Sequence, residues 1–375
     1  MISIQPVGFD GGRLESFLDL PRTLQSSCPG WISTARDRIA RQLDPALSPY
    51  WRQADRELFV ALEWGRVVGR ILATDDQQFN HAQGGNLGFF GGFDCVDDQR
   101  VADALLTAAA GWLRERGRER MRGPFTPYPD APDLGLLLAG SALTHSFVEP
   151  VNPPWYQNLL ETHGLVKLSD YLSLRTRVRC AENPRANQLN DRLRRHFRSL
   201  RNLRVRPFDP ARLDRDLDIA QQILGDAYAD EPIWAVWSKP MQRHIQNLLA
   251  PHNDWSLCFI AEIDNAPAGI WLATPNYPEP VGPHGPASPL APGICVYDFA
   301  VAPKFHKTQA ATALVQTFWD EALRQDYAYT DICYVREDNR ESLALTDAFG
   351  ATQTKRFRIY EMPIAAGLEA DARHA

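Results

Sequence analysis

Residues 294–314 read ICVYDFAVAPKFHKTQAATAL, and their order decides how the rest of the chain is parsed. Ile294 to Val301 is an apolar run of strand length, interrupted by Tyr297 and Asp298. Pro303 ends it, a short turn carries Lys304, His306 and Lys307, and helix-forming alanines follow from Ala310. A strand that enters a turn opening a helix can aim backbone N–H groups and the helix dipole at an anion.

Working outward, Leu203–Phe208 reads as a strand and Asp214–Ala229 as a helix. Leu257–Ile263 and Ala268–Thr274 are apolar runs joined by Asp264-Asn265, the signature of a hairpin. After the helix from Gln309 to Arg324 come a strand at Thr330–Val335, a helix at Asn339–Phe349 and a last strand at Lys355–Glu361. The first half repeats this order. Ile2–Val7 is a strand and Leu14–Gln25 a helix that contains Pro21; Glu57–Glu63 and Val67–Thr74 form a hairpin across Trp64-Gly65-Arg66. A third strand, Asn86–Phe93, leads to a helix capped by Asp98 with Val101, Leu105, Ala109, Trp112 and Leu113 at helical spacing. The expectation is a duplicated α/β (α+β) fold with a mixed sheet: a first domain over 1–174, an arginine-rich helical linker over 175–202, a second domain over 203–365 and a frayed tail over 366–375.

Arg175 to Arg206 holds eleven arginines against two acids, Glu182 and Asp191. It reads either as a solvated linker helix with one apolar stripe (Leu189, Leu193, Phe197, Leu200) or as a cationic patch for a phosphate-bearing ligand. Pro275 to Pro292 holds seven prolines, which exclude it from a sheet ladder and make it an exposed excursion, a plain insertion or a flap.

Composition narrows the function. With 375 residues, two domains are expected. Forty basic and 46 acidic residues give a net charge of −6, the wrong sign for a chain that mainly grips nucleic acid. No apolar run reaches the ~20 residues of a membrane span, and no export leader precedes Gly8, so the expected location is the cytoplasm, away from the membrane. Six cysteines lie far apart with no zinc-like spacing, so reduced buried thiols and no metal are expected.

The strand, turn and helix of 294–314 resemble the central motif of the GCN5-related N-acetyltransferase (GNAT) superfamily, and NRESLALTDAFGA (339–351) is similar to its later helix. GPF (123–125) and NPPWYQNLLETHG (152–164) resemble segments of bacterial two-domain acetyltransferase-like proteins, so the tandem GNAT fold is implied for nearly the whole chain. The resemblance implies a co-substrate, acetyl-CoA or a longer acyl-CoA, held by Phe299, Ala300, Val301, His306, Lys307, Thr308, Gln309, Ala310, Ala311 and Asn339. In the superfamily's turn, Arg or Gln is followed after two residues by Gly and, after one more, by Gly or Ala; here His306, Gln309 and Ala311 stand there. Gln309 puts a large side chain where bare backbone is expected. A phosphopantetheinyl acyl carrier protein, which lacks the nucleotide pyrophosphate, would relax that requirement. GGFDCVDDQRVADALL (91–106) has no such turn, so the first domain is expected to be a degenerate scaffold or a wall of the acceptor pocket.

Acyl transfer to an amine needs a base, a polarised carbonyl and a proton for the leaving thiolate. The implied catalytic residues are Asp298 as base, with Glu231 as a second carboxylate, and Tyr334 as acid, because Thr346 occupies the position where relatives carry a tyrosine. Strand alternation predicts that Tyr297 and Asp298 face opposite ways, so only one looks into the cleft. Tyr228, Trp234, Trp237 and Tyr297 are the implied substrate-binding residues. The acceptor is expected to be a small-molecule amine. Aminoacyl transfer from tRNA and a catalytically silent binding protein are the alternative readings.

Overall fold

The computed structural model describes residues 1–9, 11–28, 36–125, 134–140, 149–179, 182–229, 231, 254–276 and 293–364. The first half runs β1 (Ile2–Pro6), α1 (Gly12–Gln25), α2 (Arg36–Leu43), β2 (Ala54–Glu63), β3 (Arg66–Asp76), α3 (Gln77–Gln83), β4 (Leu87–Cys95), α4 (Gln99–Glu115), β5 (Arg120–Gly123), β6 (Leu136–Ala139), α5 (Tyr156–His163) and β7 (Val166–Arg177). After α6 (Pro184–Phe197) the second half runs β8 (Leu203–Pro207), α7 (Leu213–Ala227), β9 (Phe259–Ile263), β10 (Ala266–Pro275) and β11 (Gly293–Val301). It ends with α8 (Ala310–Arg324), β12 (Tyr329–Arg336), α9 (Arg340–Ala348) and β13 (Thr352–Pro363). Both hairpins, the Asp98 cap and the repeated order match the expectation, and the arginine-rich helix starts earlier than its apolar stripe suggested because Asn183 caps it and Pro184 fills its first turn.

All thirteen strands of the described residues join one sheet, in the order β1-β2-β3-β4-β5-β13-β7-β12-β11-β10-β9-β8 with β6 added on β13. The halves exchange their final strands. β13 pairs with β5 of the first half (Tyr360 opposite Gly123), and β7 pairs with β12 of the second (Thr176 opposite Thr330). β7 and β13 then pair with each other, Tyr171 opposite Phe357, so the seam between the halves is itself a hydrogen-bonded ladder.

The helical stripes decide the packing. Val101, Leu105, Ala109 and Leu113 of α4 are fully buried against the first half's sheet, each leucine contributing about 1.5–3 kcal/mol by leaving water. Leu314, Phe318 and Trp319 of α8 do the same in the second half, where the Phe318 ring packs tilted on Trp271 of β10 with centroids 4.5 Å apart. Cys95, Cys258, Cys295 and Cys333 are buried free thiols and Cys28 is half-buried; Cys180 lies outside the described residues.

The two motifs that set the first half apart fill the end of β4. A Cβ on Gly123 would lie 2.2 Å from the Phe90 carbonyl oxygen, which accepts the Phe125 N–H at 2.7 Å, so the two strands stay in close contact just past their ladder. Trp155 donates its indole N–H to the Cys95 carbonyl at 3.0 Å, and the Tyr156 hydroxyl donates to Asp94 at 3.0 Å. Asp94, read from sequence as a charge that would repel phosphate, is buried and paired with Arg70 at 2.7 Å. A side-chain network thus occupies the position that the second half leaves open.

Candidate active site

β11 and β12 run parallel and pair from Gly293–Val296 to Tyr329–Ile332, then part company while both continue. The gap this leaves is lined by the backbone of Tyr297–Val301 on one side and of Cys333–Arg336 on the other. On β12 the chain turns at Tyr334, which takes a left-handed φ of 61°, a strained conformation for a tyrosine, and the register against β7 shifts there. On β11 the register against β10 slips between Leu272 and Ala273, which leaves Tyr297 as an extra residue.

That bulge corrects the expected alternation. Asp298 lies opposite Leu272, which belongs to the cluster under α7, and Tyr297 packs on the same cluster. Both side chains are therefore on the α7 side, rather than on opposite faces. The Asp298 carboxyl is half-buried, and among the described residues no hydrogen bond or ion pair reaches it. Burial alone pushes it up to about 7. A carboxyl poised there is half deprotonated at neutral pH, which suits a base.

Tyr228, at the end of α7, donates its hydroxyl to the Phe299 carbonyl at 3.0 Å and lies within electrostatic reach of both Asp298 and Glu231. Glu231 accepts the Tyr171 hydroxyl at 2.5 Å and pairs with Arg336 at 3.0 Å, and burial raises its carboxyl above the usual range. Both its oxygens are engaged, so its geometry suits an anchor in the wall better than a free base. Tyr171 belongs to the exchanged strand β7. Arg122 of β5, bound to Glu361 and lowered to about 10 by burial, also acts electrostatically on Tyr171 and Glu231. Gln83 of α3 donates to the Ala229 carbonyl at 3.2 Å. The first half thus places Tyr171, Arg122 and Gln83 around Glu231 and Ala229.

Tyr334 packs its ring 5.3 Å from Phe357, within an apolar cluster that includes Tyr171. The Thr346 hydroxyl is spent on the Ser342 and Leu343 carbonyls of its own helix. Asn339 caps α9 as its spacing predicted, accepting from Ser342 N at 3.1 Å. Trp234 and Trp237 lie outside the described residues. Sequence reasoning missed Tyr171, Arg122 and Arg336. The available signal was a pair of arginines flanking Met121 beside the GPF motif, in a strand otherwise built to be buried.

Between β11 and α8 the turn Pro303–Phe305 leads through His306, Lys307, Thr308 and Gln309, all four exposed. Thr308 Oγ1 accepts from Ala310 N at 3.3 Å, whereas Gln309, the N-cap residue, makes no side-chain cap. Its Oε1 instead meets His196 Nε2 of α6 at 2.7 Å. His306 Nε2 is 2.9 Å from the Val301 carbonyl, which can only accept, so Nδ1 carries a second proton to offer a phosphate only in the imidazolium form. Gln309→Gly removes both the Cβ and the His196 contact. It is expected to tighten binding of free CoA by about threefold to tenfold in calorimetric titration, the scale of one recovered hydrogen bond. Unchanged affinity would mean that the phosphates do not meet this turn.

Residues 218–351 match the profile of the acetyltransferase (GNAT) family. The matched stretch is a GNAT domain. Over its whole length the chain has the tandem GNAT fold: it superposes on a tandem GNAT protein of the clavulanic acid biosynthesis pathway with a TM-score of 0.59 at 12% identity, covering 98% of this chain and 99% of that one. It is 28% identical over 369 residues to a Caulobacter vibrioides protein named bacterial ceramide synthase, covering 93% of this chain and 94% of that one. It is also 25% identical over 379 residues to protein YghO of Escherichia coli, covering 94% and 93%. The GNAT match makes the chain an N-acyltransferase. Among the described residues no helix is long and apolar enough to cross a membrane, and no group of three or more His, Cys, Asp or Glu side chains is placed to hold a metal.

Proposed function

We propose that the protein N-acylates a long-chain amino alcohol, taking the acyl group from a thioester on a phosphopantetheine arm. The observation that carries the reading is Asp298, a carboxyl without a charged partner among the described residues, raised to about 7 at the point where β11 and β12 separate. The arm would lie along the Phe299–Val301 backbone, whose N–H groups would polarise the thioester carbonyl. The amine would enter from the side of Tyr228 and Glu231. Asp298 accepts a proton from the ammonium and releases it to solvent, the freed nitrogen attacks the carbonyl carbon, Asp298 takes the second N–H proton from the adduct, and the C–S bond breaks. The proton gained by Asp298 then goes to the leaving thiolate, so that no separate acid is required. Holding the two reactants in one cleft supplies much of the rate, since the acid–base apparatus is small.

The acceptor class follows from the relative named bacterial ceramide synthase, to which nearly the whole chain is similar; a ceramide is the amide of a fatty acid and a long-chain amino alcohol. The test is mass-spectrometric detection of amide from a C16 acyl thioester with sphinganine or with a short polar amine. Amide from sphinganine is expected at a rate at least about tenfold above the polar amine, the discrimination that an apolar pocket gives for a few methylenes. Absence of amide from every amine would sink the reading.

A further inference from the structure

α6 lies antiparallel on α8. The Trp319 indole donates to Asn187 at 3.0 Å, Arg194 pairs with Asp320, and His196 meets Gln309 at 2.7 Å. These contacts bring the basic end of α6 to the opening of α8, beside Lys304 and Lys307. The sequence has no acidic residue between Asp191 and Asp209, and none between Asp298 and Asp320. Arg192, Arg195, Arg198 and Arg201 are exposed, and among the described residues no ion pair reaches them. On a chain of net charge −6 this is a concentrated patch of one sign next to the mouth of the cleft.

Its layout discriminates between ligands. Ala186, Asn187 and Asn190 are the buried positions of α6, so at 100° per residue Arg192 and Arg195 fall on the far side of the helix from α8. Among the described residues neither makes a hydrogen bond or ion pair with α8. Spread along the last turns of α6 and beyond it, the arginines can meet an extended acidic surface standing over that opening. The exposed large apolar side chains among the described residues (Met1, Phe9, Leu47, Trp64 and Val166) all belong to the first half, so no described residue of this face offers one to a lipid surface. Gln309 points the same way, because it fills the position where a nucleotide pyrophosphate would need bare backbone.

We propose that the arginine face of α6 docks an acyl carrier protein, a small acidic protein that presents its acyl group on a phosphopantetheine arm; this rests on the acyl-transfer reading of the cleft. The arm carries one phosphodiester and no pyrophosphate, so Gln309 does not obstruct it. The experiment compares kcat/KM for palmitoyl-carrier protein and palmitoyl-CoA, both with sphinganine, in the full chain and in the Arg195→Glu/Arg198→Glu variant. Charge reversal is expected to lower kcat/KM for the carrier-bound donor by about tenfold or more, an effect that shrinks with added salt, and to change the CoA reaction by less than about twofold. Equal losses for both donors would assign the arginines to the nucleotide of CoA, no loss for either would make them a solvated face, and inhibition of both reactions by tRNA would assign the face to nucleic acid; each overturns the docking proposal. Transfer from CoA with none from the carrier overturns docking alone, whereas no transfer from either donor overturns the acyl-transfer reading as well.

Discussion

Asp298→Asn is expected to lower kcat/KM for amide formation by about 10²–10⁴-fold, the contribution of a positioned general base, while making the protein harder to unfold at pH 8. The two effects share one cause. Burial raises the Asp298 carboxyl to about 7, far above its value in an unfolded chain, so between about pH 4 and pH 7 the folded state holds a proton that the unfolded state has lost. Stability from this group is therefore present in acid and lost as pH rises through that window. By pH 8 the desolvated carboxylate costs at most about 4 kcal/mol, a shift of roughly three pH units, and asparagine escapes that cost. The wild-type rate should rise through pH 7 and level off above it, as the base loses its proton. Thermal unfolding of the two proteins at pH 4 and pH 8 separates this account from a packing effect: the variant's advantage should appear only at the higher pH. An Asp298→Asn protein that keeps its rate, or is less stable at pH 8, would remove Asp298 from the role of base.

What could be read in the sequence was whatever local chemistry determines. The Asp98 and Asn339 caps, the Asp264-Asn265 hairpin and the strand-turn-helix of 294–314 depend on neighbours in the chain, and the structure has them where the residues put them. The exchange of β7 and β13 could not be read, because pairing between segments far apart leaves no trace in periodicity. Tyr171 therefore looked like one more strand residue, although it holds Glu231 across the seam. The bulge at Tyr297 was hidden for a related reason. A single extra residue in a strand has no compositional mark, yet it reverses which side chains share a face. The contact of His196 with Gln309 joins two features that were legible separately, the arginine-rich helix and the unusual turn, but their meeting depends on how α6 packs on α8.

The exchanged strands also concentrate stability at the seam, and Lys355 is the place to test it. It stands on β13 opposite Ser173 of β7, with its ammonium 2.5 Å from Glu149 Oε2, while the Ser173 hydroxyl donates to Glu149 Oε1 at 2.5 Å. Lys355 and Glu149 are only 3% and 6% exposed, so neither charge has much water to fall back on. Lys355→Met removes the ammonium and leaves the carboxylate buried, a change that should cost about 3–5 kcal/mol. Adding Glu149→Gln removes that buried charge and keeps an acceptor for Ser173, so the double variant should regain most of the loss. The midpoint of denaturant unfolding reads both, and because β7 and β13 each belong to the other half's sheet, the single variant should lower one shared transition instead of splitting it in two. Equal destabilisation of the single and double variants would show that shape, not charge pairing, sets the energy of the seam, and two separated transitions would show that the halves unfold independently despite the exchange.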